Sequence, residues 1–144
     1  MSLETIIMVA GGSAVALVCL FVIALRAPKR LKKEYFVARW RELQAHCKQK
    51  DSWPQALKEA DKLLDRALKK RKFKGKTMGE RMVSAQRTFT DNDAVWFAHN
   101  IHKKLTTDPK FRIRESDVKD ALVGFRQALR DLGALPDGSK SRDS

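Results

Sequence analysis

The side chains with chemistry to offer in this chain are three histidines, two cysteines and an excess of lysine and arginine that gives a formal net charge of +13. His46, His99 and His102 have no cysteine companion and no HExxH spacing, so neither a metal centre nor a cofactor site is expected from them. His99 and His102 flank Asn100 on one predicted helix, where the simplest arrangement is one surface and one boundary imidazole. Cys19 lies inside an apolar run and Cys47 beyond it, which leaves no sensible intramolecular bridge. The densest chemical signal is the cluster Lys69, Lys70, Arg71, Lys72, Lys74 and Lys76. Cations suit a helix C-terminus, where the dipole is negative, but six within eight residues exceed what capping needs. The cluster is therefore the expected anion-binding surface, with Lys103 and Lys104 as expected neighbours and Gly75 leaving the loop free to fit a phosphate.

These groups must be positioned by a chain that begins with an uncharged stretch, residues 5–25, after a short lead of residues 1–4. As a helix this stretch measures roughly 31 Å, matching a hydrocarbon core of about 30 Å, so one transmembrane helix is expected. Arg26, Lys29, Arg30, Lys32 and Lys33 follow it directly, whereas only Glu4 precedes it. The positive-inside rule then places the N-terminus outside and the C-terminal domain in the cytoplasm of a single-pass cell-membrane protein. The same five cations are the expected membrane-surface residues. Ala10/Ala14 and Gly12/Ala16 have the small-xxx-small spacing through which two spans could approach as a homodimer. All 30 lysines and arginines and all but one of the 17 acids lie after the span. That balance points to anionic lipid headgroups, nucleic acid or an acidic protein as partner, and the remaining length leaves no room for a second domain.

Residues 26–51 read as a basic membrane-proximal helix with Tyr35/Phe36, Trp40, Leu43 and Cys47 on one face, Pro28 breaking its path from the span. Residues 52–135 read as a helical bundle. Ser52 and Gln55 offer a capping box for a helix striped by Leu57, Ala60, Leu64 and Leu68, and Thr77 with Glu80 offers a second. The run Thr90-Asp91-Asn92-Asp93 caps a helix that ends before Asp108-Pro109, and the last helix runs from about Glu115 to Leu132 and stops at Gly133. Residues 136–144 are a polar, disordered tail. No stretch alternates with period two, so the fold class is all-α: a transmembrane helix followed by a small up-and-down bundle.

The stretch WPQALKEADKLLDRALKKRKFKGKTMGERM, then DNDAVWFAHNIHKKLTTDP, then the final helix to DLGAL, resembles a group of uncharacterised single-span bacterial proteins. Their cytoplasmic domain looks like the HEPN (higher eukaryote and prokaryote nucleotide-binding) fold. The resemblance implies an up-and-down bundle and, in active members, a metal-independent RNase site built from an Arg-x4–6-His motif in each of two paired domains. In that register His102 stands where the arginine is expected and Thr107 where the histidine is expected. An imidazole can exchange protons but cannot clamp phosphate as a guanidinium does, and a threonine does neither. His102, Lys103 and Lys104, with Asp108 nearby, are what remains to act on phosphate. Arg41 and Arg39 match the motif as strings with His46, but in the membrane-proximal helix, outside the family's position.

Three functions are compatible with this reading. The first is a membrane-anchored cytoplasmic binding module with a basic anion-binding surface. The others are a divergent RNase and a structural single-span protein that homodimerises.

Overall fold

A computed structural model describes residues 2–26 and 30–137, and all regular structure among them is helical. The expected kink at Pro28, the side chain of Arg26, all of Lys29 and most of the expected tail lie outside the described residues. Helix α1, Leu3–Arg26, starts slightly earlier than the sequence implies and is long and apolar enough to cross a membrane. Its apolar side chains are exposed along its whole length and it packs on none of the other helices.

The bundle is built around α3, Trp53–Lys70. Ala56, Leu57, Ala60, Leu63, Leu64, Ala67 and Leu68 are all buried, and their three-and-four spacing makes a stripe broad enough to be shared by every neighbouring helix. Helix α2, Lys33–Ala45, lies on one side and inserts Phe36, Trp40 and Leu43 into the same core. The core is thus continuous from the membrane-proximal helix into the bundle. Two single turns of 3-10 helix, His46–Lys48 and Lys50–Ser52, carry the chain from α2 to α3, and Trp53 clasps the turn by donating from Nε1 to the Cys47 carbonyl at 3.1 Å. Ser52 is the residue before α3, but it is already helical in φ and ψ and makes no side-chain cap. The expected capping box therefore does not form, because the preceding 3-10 turn bonds the Ser52 N–H to the Gln49 carbonyl.

The short helix α4, Met78–Ser84, opens with Thr77 Oγ1 accepting from the Glu80 N–H at 3.2 Å. Asp91 caps α5, Asn92–Thr107, by accepting from the Ala94 N–H at 3.0 Å. Phe111 and Ile113 cover one end of the core before α6, Glu115–Asp131, returns along α5. Asp131 at the end of α6 accepts from the Thr90 N–H at 2.8 Å just before α5 begins, so these two helices run antiparallel.

Gly124 sets how closely α5 and α6 approach. A Cβ there would stand 2.5 Å from the Ala94 carbonyl oxygen and 2.9 Å from its carbon. Both are backbone atoms that can yield only if the helices separate. Gly124→Ala should consequently lower stability by about 1–3 kcal/mol, even though alanine gains about 1 kcal/mol in helix propensity. Denaturant melts followed by tryptophan fluorescence measure the difference, and an unchanged midpoint would show the contact to be slack.

Candidate functional site

The basic cluster occupies the end of α3 and the loop that follows, and the structure divides it by role. Arg71 donates from Nη1 to the Leu132 carbonyl at 2.7 Å, satisfying an orphan acceptor at the end of α6, and Lys69 pairs with Asp65 at 3.1 Å. Lys70, Lys72, Lys74 and Lys76 are exposed, with no acidic partner among the described residues. Helix α3 ends as the Phe73 N–H bonds back to the Leu68 carbonyl at 3.1 Å, with Lys72 in the left-handed region at φ 64°. Glycine usually fills that position, and a residue with a Cβ costs roughly 1–2 kcal/mol there.

The loop is not free to mould itself to a ligand. Arg81, buried at the α4 end of the loop, donates from Nε to Asp65 Oδ1 at 2.8 Å and from Nη1 to the Gly75 carbonyl at 2.9 Å. Ser84 Oγ donates to the Lys74 carbonyl at 2.6 Å, and the Lys76 N–H donates to Glu80 Oε2 at 2.6 Å. Gly75 belongs to this lock, since a Cβ on it would stand 2.6 Å from the Arg81 nitrogen. The glycine permits a close backbone approach and so stiffens the loop. The four free lysines are thereby displayed on a fixed backbone.

Helix directions decide what lies near them. Asp61 of α3 meets His99 and His102 of α5, while Trp96, toward the start of α5, sits beside Gly79 near the end of the basic loop. Helices α3 and α5 are therefore antiparallel. The nine residues from Asp61 to Lys70 carry the chain about 14 Å one way, whereas Lys103 and Lys104 lie beyond His102 in the other. These two lysines are not neighbours of the cluster. They line a separate shallow groove of about 440 Å³ with Phe97, Asn100, Ile101 and Thr107.

The neighbours are instead the residues at the start of α2. Arg30, Lys32 and Lys33 share a cavity of about 940 Å³ with Arg71, Leu132 and Gly133. Two groups far apart in sequence, the cations that follow α1 and those that follow α3, thus form one basic end of the bundle. Arg26 closes α1 only four residues before Arg30.

The histidines have a different place. Neither is a surface residue: both are about 16% exposed and both face Asp61, a carboxylate in the middle of α3 that is 9% exposed. Asp61 Oδ1 accepts from His99 Nδ1 at 2.9 Å, and Oδ2 stands 3.4 Å from His102 Nδ1. Burial by itself would push the Asp61 carboxyl up. The hydrogen bonds from His102 and His99, with their charge, together outweigh it and hold the group below the ordinary carboxylate value. His102 Nε2 is buried without a partner, so neither ring nitrogen of His102 is open to a substrate. Thr107 spends its hydroxyl on the Lys103 carbonyl at 2.8 Å.

Asp61 escaped the sequence reading, although it lies four residues after Leu57 and three before Leu64, on the face that the stripe commits to the core. A charge at such a position is itself a signal of a buried partner. Arg39 and His46 both line a groove of about 750 Å³ between α2 and α3, with the Arg39 guanidinium paired to Glu42 at 2.9 Å. Arg41 is exposed and is not part of that groove. Burial pushes the Cys47 thiol up, away from thiolate reactivity. Comparison with protein-family models, with curated proteins and with solved structures found no match.

Proposed function

We propose that this protein is a membrane-anchored helical interaction module in which α1 crosses the bilayer, the bundle stands on the cytoplasmic side, and the basic end of the bundle binds anionic groups. The observation that carries the reading is the convergence of Arg30, Lys32 and Lys33 with Arg71 at one end, next to Lys70 at the end of α3 and to Lys72, Lys74 and Lys76 on a pinned loop. Lys72 adds to it. A lysine held in a strained backbone conformation, where glycine would be cheaper, supports a use for its charge beyond closing the helix. Orientation rests on the positive-inside rule, with Arg26 at the C-terminal end of α1 and Lys29, Arg30, Lys32 and Lys33 directly after it.

The test is charge reversal of Lys70, Lys72, Lys74 and Lys76 to glutamate in the full chain held in neutral detergent. Arg71 is left intact because its bond to Leu132 is structural. At about 1 kcal/mol per cation near an anionic surface, reduced by screening, retention on heparin, RNA or anionic vesicles should fall about a hundredfold at low salt, with tryptophan fluorescence unchanged. If RNA is bound, its affinity should fall with salt at a log–log slope near −0.7 per phosphate contact on a single strand. Equal retention of the reversed chain would make the cluster an ordinary solvated helix end and remove this reading.

A further inference from the structure

We infer that the cavity between the start of α2, Arg71 and the end of α6 is a binding site for the phosphate of an anionic lipid headgroup, drawn from the bilayer that α1 crosses. The inference rests on the proposed function and names its ligand. Four cations, Arg30, Lys32, Lys33 and Arg71, line a cavity with a single acid, Glu34. It is an open groove, no more enclosed than the one beside Lys103 and Lys104, and its volume of about 940 Å³ lies within the range of small-molecule sites.

The four cations are not equivalent. Arg30, Lys32 and Lys33 are exposed and able to follow a headgroup, whereas Arg71 is half-buried and held by its bond to the Leu132 carbonyl. That bond uses one of five guanidinium donors, and a planar fork fixed at one corner is prepared to meet a phosphate with the others. Leu132 is fully buried and Leu31 packs against the core, so the backbone that carries these cations is anchored to a rigid interior.

Covalent reach selects the source of the phosphate. From the end of α1 at Arg26 to the first cavity residue, Arg30, the chain spans at most about 14 Å, whatever path it takes. The headgroup layer on each side of a bilayer is itself roughly 5–8 Å deep. The mouth of the cavity is therefore confined to the neighbourhood of the headgroups, at an effective concentration no soluble phosphate approaches. A nucleic acid would have to enter the narrow space between the bundle and the bilayer to reach the same cations.

The experiment places the full chain in nanodiscs of phosphatidylcholine alone and of phosphatidylcholine with phosphatidylglycerol, and reads amide hydrogen exchange. Slower exchange at residues 30–34 and 132–133 is expected only with phosphatidylglycerol, together with phosphatidylglycerol retained in native mass spectra of the detergent-extracted chain. Arg30→Glu with Lys33→Glu, both exposed, should lose that protection and weaken phosphatidylglycerol retention at least about tenfold, while protection at residues 70–76 persists. Protection that is equal in the two lipids, or that survives the double reversal, overturns the site. Equal protection by soluble glycerol phosphate in phosphatidylcholine discs overturns the lipid as its source. Loss of protection at 30–34 alone leaves the basic module standing, whereas no lipid dependence at either 30–34 or 70–76 removes the module as well.

Discussion

Phe36→Ala should destabilise the entire bundle by about 3–5 kcal/mol, the cost of removing a fully buried aromatic ring and leaving a cavity the surroundings cannot close. Phe36 belongs to the helix that first follows α1, yet it is completely buried in the core shared with Leu64, Leu68 and Phe125. If α2 were only a tether, the bundle would melt unchanged. Because its core is continuous with that of α3, the whole domain should melt about 15 °C or more lower. Trp40, Trp53 and Trp96 all lie outside α1, so their fluorescence reports the bundle without interference from the apolar helix. An unshifted Trp96 transition would separate α2 from the bundle and loosen the link between α1 and the basic end.

Asp61→Ala should cost a similar amount, about 3–5 kcal/mol, for an electrostatic reason. It leaves His99 Nδ1 and His102 Nδ1 half-buried without their shared acceptor, and His102 Nε2 already has no partner. Replacing Asp61, His99 and His102 together by leucine should recover much of the loss, since an apolar core needs no such pairing. The contribution also depends on pH with a defined sign. The Asp61 carboxyl is held below its ordinary value in the folded protein, so the unfolded chain takes up the proton first as pH falls. The stabilisation is complete above the ordinary carboxylate value, near 3.9, and is lost as pH falls through the lowered folded value. Melts of the parent and Asp61→Ala chains should converge toward that acid limit. A gap that stays constant with pH would assign the loss to packing alone.

The helices could be read from the order of residues, because each signal is local. Uncharged residues 5–25 mark a helix of membrane length, the three-and-four stripe from Ala56 to Leu68 marks a core helix, and Thr77, the polar run from Thr90 to Asp93 and Gly133 mark ends. Ser52 misled for an equally local reason: the bonds of a preceding 3-10 turn pre-empted the cap that its side chain could offer. The charge excess and the cluster from Lys69 to Lys76 were also plain in the sequence, and with them the expectation of an anionic partner. Tertiary structure alone decided how those charges are grouped. Antiparallel packing of α3 and α5 sends Lys103 and Lys104 away from the cluster, while the ends of α3 and α6 bring Arg71 to Arg30 and Lys33 across some forty residues of chain. It also turned two histidines inward onto Asp61 and made Gly75 part of a lock. Composition fixes how much charge a chain carries, but helix direction and contact fix which charges share a surface, and these are set by a core formed from residues distant in sequence.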